Sequence, residues 1–285
     1  MARVIIVQLI TRPLDEQESR MRSALTEKEI ADYRENGYLA IEDLLSGSEL
    51  AQWRAAVDDA MAQDLVRPPD DSAAAKAGVF DQRMNLRRAS PTIQALIQDP
   101  GIGKLIADAE GVDAVRIYLD QALVKEPYGA PTQFHQDLPW WPFTSENACT
   151  IWIALDDATV ANGCLYFVPG SHRLELAHRS DLGSRLGAIF HENPEVKGVP
   201  VPSPLPAGGC SIHNARTIHG AGANMTPGRR RAMTVAFMPD GVRFNGTRDV
   251  RALGEKYLDT LTEGDPLGDD EVNPLVYARE RAAVA

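Results

Sequence analysis

Paired cysteines are the first thing missing from this chain. Its 285 residues include three, Cys149, Cys164 and Cys210. The count is odd and no C-x-x-C pair occurs, which argues against a disulfide scaffold and against a zinc ribbon. Free thiols fit a reducing cytoplasm. A basic surplus is missing too. Lys and Arg number 29 against 40 Asp and Glu, giving a net charge of −11 and a pI near 5.0. Nucleic-acid binders show a basic patch or stripe, so that class is disfavoured. No apolar run reaches the ~18 residues of a membrane span. Val4 to Ile10 is apolar and follows Arg3, but it is short, Arg12-Pro13 follows at once, and no small-residue cleavage site is evident.

What is present is ordinary for a globular protein, with 44% hydrophobic and 24% charged residues. The length allows one large domain or two small ones. The reading adopted is an N-terminal extension over 1–25, as an extra strand or loose tail with Met21 an alternative start. A single domain follows over 26–285. Its parts are a helical stretch at 26–111, a β-rich core at 113–240 and a C-terminal segment at 241–285.

Two capping boxes, Thr26–Glu29 and Ser46–Glu49, start helices, and Gly37 is placed to end the first. Leu50, Trp53, Val57 and Met61 recur at helical spacing and predict one buried face. Ser90-Pro91 and Asp99-Pro100 each put proline just after a cap. They open two short helices, the second ending at Gly111. Residues 66–79 read as a loop. From Asp113 the texture changes to short strand-like runs separated by turn residues: 115–119, 122–125, 132–138, 149–155, 165–168, 211–213, 216–218 and 232–238. Such punctuation predicts an antiparallel barrel or jelly roll. The polar stretch 170–209 reads as a long excursion, and the tail after Asp240 shows weak helix signals.

The densest chemistry lies in Thr132 to Phe143, TQFHQDLPWWPF. Alternation on a strand would put His135 and Asp137 on one face. An imidazole and a carboxylate are two thirds of a 2-His-1-carboxylate site, which leaves open positions on Fe(II). The third ligand should be a distant histidine. His172, His178 and His191 fall in the polar excursion and read as exposed loop histidines. His213 and His219 remain as competitors. His219 is favoured by the small residues Gly220-Ala221-Gly222 behind it, which permit close approach of backbone and ligands. Arg229-Arg230-Arg231 opens the next strand. Alternation sends Arg230 to the face opposite its two neighbours, and a buried arginine there would suit a carboxylate partner.

HQDLPWWPF, IWIALDDATVANGCLYFVPGSH and HGAGANMTPGRRRAMTVAF together resemble the phytanoyl-CoA dioxygenase family, which includes ectoine hydroxylase. The resemblance covers roughly 26–250. It implies a mainly β double-stranded β-helix core with flanking helices, using Fe(II), 2-oxoglutarate and O2. His135, Asp137 and His219 fall on the family's iron ligands, and Arg230 on the arginine that binds the far carboxylate of 2-oxoglutarate. Gln121, Lys125 and Thr150 fall on positions that often help hold the co-substrate, and Trp152 either lines the same face or fills the barrel. Where the family often carries a hydroxyl two residues after the distal histidine, this chain has Ala221. Relatives that halogenate lack the carboxylate ligand, so Asp137 favours hydroxylation. The PGSH turn ending at His172 reads as structural.

The expected activity is oxidation of a C–H bond in a small metabolite or natural product, releasing succinate and CO2. Trp140, Trp141 and Phe143 are candidate walls of a substrate pocket, and Arg83 and Asn85 candidate polar contacts. The expected partner is a small molecule, with neither nucleic acid nor membrane, and the sequence carries no signal for oligomeric state. The rival is a cupin-like metal-binding protein or a non-oxidative metalloenzyme, and neither needs the carboxylate clamp of Arg230.

Overall fold

A computed structural model describes residues 21–63, 80–176 and 185–280. The apolar stretch 4–10, the loop at 66–79 and His178 lie outside the described residues.

Both capping boxes form as the sequence predicts. Thr26 and Glu29 satisfy each other's backbone N–H groups at the start of α1 (Glu27–Asn36), as Ser46 and Glu49 do for α2 (Gly47–Ala62). Gly37 ends α1 with φ 79°, a left-handed conformation that glycine adopts freely. The next elements are β1 (Tyr38–Ile41), β2 (Asp81–Met84), α3 (Pro91–Ile97) and α4 (Pro100–Glu110). Ser90 and Asp99 cap the last two helices through their side chains.

The β-rich part holds β3 (Ala114–Lys125), β4 (Thr132–His135), β5 (Cys149–Ala154), β6 (Leu165–Phe167), α5 (Ala188–Glu192), β7 (Val201–Ser203), β8 (Cys210–Asn214), β9 (His219–Ala221) and β10 (Arg230–Pro239). The tail contributes α6 (Val250–Leu253), α7 (Glu255–Leu258) and β11 (Leu275–Ala278). All strand pairs are antiparallel. The larger sheet runs β1-β8-β5-β10-β3-β11 with β2 also on β3, and the smaller runs β4-β9-β6-β7. The two sheets make a double-stranded β-helix core.

Period-2 alternation sorts the larger sheet into two faces. Ile151, Ile153, Ile212, Met233, Val235 and Phe237 point outward and form one cluster with Trp53, Val57, Ile93, Ile102 and Leu105 of the helices. The alternate residues, Thr150, Trp152, His213, Arg230 and Gln121, line a cavity shared with the smaller sheet. Both faces are covered, so every residue of β5 is buried. The tail closes one end. Phe244, Leu253, Leu258 and Leu267 pack with Tyr118, Trp141 and Phe143.

Four expectations are corrected. The runs 115–119 and 122–125 are one continuous strand. The run 132–138 stops at His135, because Pro139 has no N–H to extend a ladder and the chain turns through Leu138–Trp140. Residues 216–218 form a turn, with Thr217 N donating to Asn214 O at 2.8 Å, and the strand starts at His219. The stretch 170–209 is no bare loop, since α5 and β7 lie within it.

Candidate metal and co-substrate site

β4 and β9 are neighbours, and their register sets His135 directly opposite His219. The two ring centroids are 4.3 Å apart. Each ring is oriented by its own chain. His135 Nδ1 lies 2.8 Å from Gln133 O, and His219 Nδ1 lies 3.0 Å from Thr217 O. A carbonyl only accepts, so each Nδ1 carries the hydrogen and each Nε2 presents a lone pair. Carbonyl partners of this kind orient histidines that bind metals.

Asp137 joins them from outside the strand. Its backbone has φ −76° and ψ −46°, and its N donates to Ala215 O at 2.9 Å. Strand alternation is therefore not what aims this side chain; the turn pinned to Ala215 does so. Asp137 Oδ1 lies 3.5 Å from His135 Nε2 and 3.8 Å from His219 Nε2. One donor atom from each of the three residues lies within 4.8 Å of the others. Metal–ligand bonds of about 2.1 Å place adjacent donors roughly 3 Å apart, so the three suit a single ion after a small contraction. Among the described residues it is the one cluster of this kind.

The electrostatics suit the same ion. Burial alone would raise the Asp137 carboxyl, but its histidine neighbours, His219 first and then His135 and His213, outweigh it and hold the group well below its ordinary value. Burial, then repulsion by His135 and His213, drives His219 well below the ordinary imidazole value. An ionised carboxyl at Asp137 and an imidazole at His219 that resists protonation are what metal binding requires of those two groups.

Arg230 sits in the same cavity, which has a volume of about 490 Å³. Its side chain is buried, and Nε and Nη1 have no hydrogen-bond partner. The guanidinium lies over the Trp152 ring, 5.0 Å from the centroid, a favourable cation–π arrangement. Burial lowers its pKa to about 10. Lys125 pairs with Arg230 across β3 and β10, and burial followed by repulsion from Arg230 brings its pKa down to about 7. Arg230, with Nε and Nη1 unpartnered, offers an anion a place in the cavity, and Lys125 lies behind it. The neighbouring arginines behave otherwise. Arg231 is held by Asp156 and Asp58, and Arg229 by Asp58, so alternation does separate Arg230 from both.

The remaining candidates divide. Gln121, Thr150, Trp140 and Trp141 line the cavity. Gln121 accepts a hydrogen bond from Gln82, and the Thr150 hydroxyl donates to Asp137 Oδ2 at 2.9 Å. Lys125 is fully buried and donates to Ala130 O at 2.6 Å. Lys125, Arg83, Asn85 and Phe143 are not among the lining residues. Arg83 pairs with Asp81, Asn85 donates to Arg251 O and Ala252 O, and Phe143 packs edge-on against Tyr118. The residues flanking Arg83 on β2, Gln82 and Met84, face the cavity instead, along with Leu119, Asp249 and Arg251. Period 2 on β2 carried a signal for the first pair. Asp249 and Arg251 come from a tail with no pattern that would mark them.

Residues 33–232 match the family model of phytanoyl-CoA dioxygenase. A probable alpha-ketoglutarate-dependent hypophosphite dioxygenase of Stutzerimonas stutzeri is 28% identical over 221 residues, spanning 72% of this chain and 76% of that protein. Two solved structures from nogalamycin biosynthesis are also similar. The non-heme alpha ketoglutarate dependent carbocyclase SnoK has a TM-score of 0.76 at 27% identity, covering 90% of this chain and 98% of its own. The epimerase SnoN, in complex with Fe3+, alpha ketoglutarate and nogalamycin RO, has a TM-score of 0.74 at 32% identity, covering 88% and 98%.

Proposed function

Because the chain belongs to the phytanoyl-CoA dioxygenase family and is an iron- and 2-oxoglutarate-dependent dioxygenase, we propose that it oxidises a C–H bond of a small, largely apolar metabolite or natural product. Succinate and CO2 are the co-products of that reading. His135, Asp137 and His219 would hold the iron. Arg230 would grip the far carboxylate of 2-oxoglutarate through the fork that now lacks partners, with Trp152 as its floor and Lys125 adding positive charge beneath. The iron supplies the activation of O2, coupled to decarboxylation of the 2-oxo acid.

The chain's own residues supply placement and exclusion. The carbonyls of Gln133 and Thr217 fix the two imidazoles, and the Ala215 carbonyl fixes the turn that carries Asp137. Met84, Leu119, Leu123, Trp140 and Trp141 give the cavity a mainly apolar wall, while Gln82, Gln121, Asp249 and Arg251 provide a few polar contacts. Pockets of this volume and make-up suit drug-sized ligands. Among the described residues lining the cavity, Arg230 and Arg251 are the only lysine or arginine side chains. That is sparse for the phosphates of an acyl-CoA and favours a less charged substrate. SnoN, which is similar over most of this chain, is named with a nogalamycin compound, and a ring-bearing scaffold of that sort fits the tryptophan wall.

The single observation that carries the proposal is the buried, partnerless guanidinium of Arg230 in the same cavity as the His135–Asp137–His219 cluster. A metal-storing barrel or a non-oxidative metalloenzyme has no use for it. The test is anaerobic titration of Fe(II)-loaded protein with 2-oxoglutarate, followed by the weak visible charge-transfer band of the chelate. The band is expected in the wild type, and His135→Ala and Asp137→Ala should lose iron uptake and succinate release together. Folded, iron-loaded protein that never develops the band would overturn the proposal.

A further inference from the structure

The two oxygens of Asp137 are in different company. Oδ1 faces His135 Nε2 and His219 Nε2. Oδ2 accepts from Thr150 Oγ1 at 2.9 Å and lies 3.5 Å from His213 Nε2. Thr150 and His213 are register partners across β5 and β8, so they emerge side by side on the cavity face. His213 is 2% exposed, and neither ring nitrogen has a hydrogen-bond partner. An apolar residue would fill this place, between Phe167 and His219 at 5.3 and 4.3 Å, without the cost of unpaired buried nitrogens.

We infer that Thr150 and His213 are positioning residues that hold Oδ2 of Asp137 and leave Oδ1 alone to face the metal. The inference rests on the metal reading of the site given above. Thr150 already makes its bond, and His213 needs a shift of a few tenths of an ångström to donate Nε2–H to the same oxygen. With Oδ2 held from behind, the carboxylate binds through one oxygen and takes one coordination position. A carboxylate swung round to offer both oxygens would take a second position, which the 2-His-1-carboxylate arrangement needs to keep open. The same geometry decides between the two candidate histidines. His219 faces Oδ1 with His135, whereas His213 approaches the opposite oxygen and is an outer support.

The test uses Co(II) as probe on the full chain without co-substrate, read by calorimetric affinity and by the visible Co(II) spectrum. Outer partners of metal-binding carboxylates are typically worth ~10–100-fold in metal affinity. Thr150→Val should therefore weaken Co(II) binding roughly tenfold or more and alter the spectrum, while Thr150→Ser stays within about twofold of wild type. His213→Leu should weaken binding, and His213→Gln, which keeps a donor, should retain part of it. The metal-free melting temperature of Thr150→Val should stay at the wild-type value, which separates positioning from folding. Wild-type affinity and spectrum in Thr150→Val, or an equal loss in Thr150→Ser, would overturn the role of Thr150. Wild-type affinity in His213→Leu would overturn that of His213. If the wild type takes up no Co(II), or His135→Ala takes it up as tightly, the metal reading itself falls, an outcome distinct from the others.

Discussion

Replacing Arg230 tests the co-substrate reading most directly, because the structure lets its effect on binding be separated from its effect on folding. In the free protein the guanidinium is buried, with Nε and Nη1 unpartnered and Lys125 nearby. It therefore brings little favourable pairing to the fold beyond its contact with Trp152. A bound carboxylate would accept charge-assisted hydrogen bonds there, each typically about 1.5–3 kcal/mol. Removing one member of a buried ion pair costs about 3–5 kcal/mol, because the other charge is left uncompensated. At about 1.4 kcal/mol per tenfold, Arg230→Met should raise the Kd for 2-oxoglutarate by roughly 10² to several times 10³. Arg230→Lys keeps a charge but loses the planar fork, and roughly tenfold is expected. The assay is anaerobic calorimetry of 2-oxoglutarate binding to metal-loaded protein, with thermal melting of the ligand-free variants alongside. Removing an unanswered buried cation should leave the ligand-free melting temperature of Arg230→Met unchanged or raised. A Kd within about threefold of wild type, well short of a buried-pair loss, would refute the clamp. So would a melt that falls enough to account for the lost binding.

Two further predictions concern the frame around the site. Gly163 has φ +88°, and a Cβ there would lie 2.5 Å from Gly222 O and 2.8 Å from Lys125 Cδ; Gly163→Ala should cost about 2–3 kcal/mol, a melting shift of roughly 5–10 °C, and an unchanged melt would refute the close packing. Glu110 is buried among Tyr33, Asn214 and Cys149, and burial pushes its carboxyl up to about 7 from 4.5 despite the hydrogen bonds it accepts. The folded pKa is the higher one, so its contribution is complete below pH 4.5 and is lost as pH rises through 7, a fall of about 3 kcal/mol in unfolding free energy. Denaturant melts from pH 4.5 to 8 should show that fall in the wild type and not in Glu110→Gln, whereas parallel profiles would refute it.

The helical caps, the strand-rich core, the alternation on β10 and the His135, Asp137 and His219 set that the structure gathers were all legible in the sequence. Each depends on chemistry or periodicity within a few residues of itself: a capping box spans four residues, and Arg230 is separated from Arg229 and Arg231 by one step of pleat. Tertiary contacts decided the rest. Asp137 reaches the two histidines because its turn is tied to Ala215, 78 residues along the chain, not because it continues the strand. The sequence favoured His219 but left His213 as a competitor, and only the pairing of β4 with β9 and of β5 with β8 put one beside His135 and the other behind Asp137. Arg83 and Asn85 looked available as polar contacts, yet Asp81 and the carbonyls of Arg251 and Ala252 engage them. Asp249 and Arg251 entered the cavity from a tail that carries no periodic signal. Local pattern records which face a side chain takes on its own element; what that face meets is set by long-range register and by turns held from elsewhere in the fold.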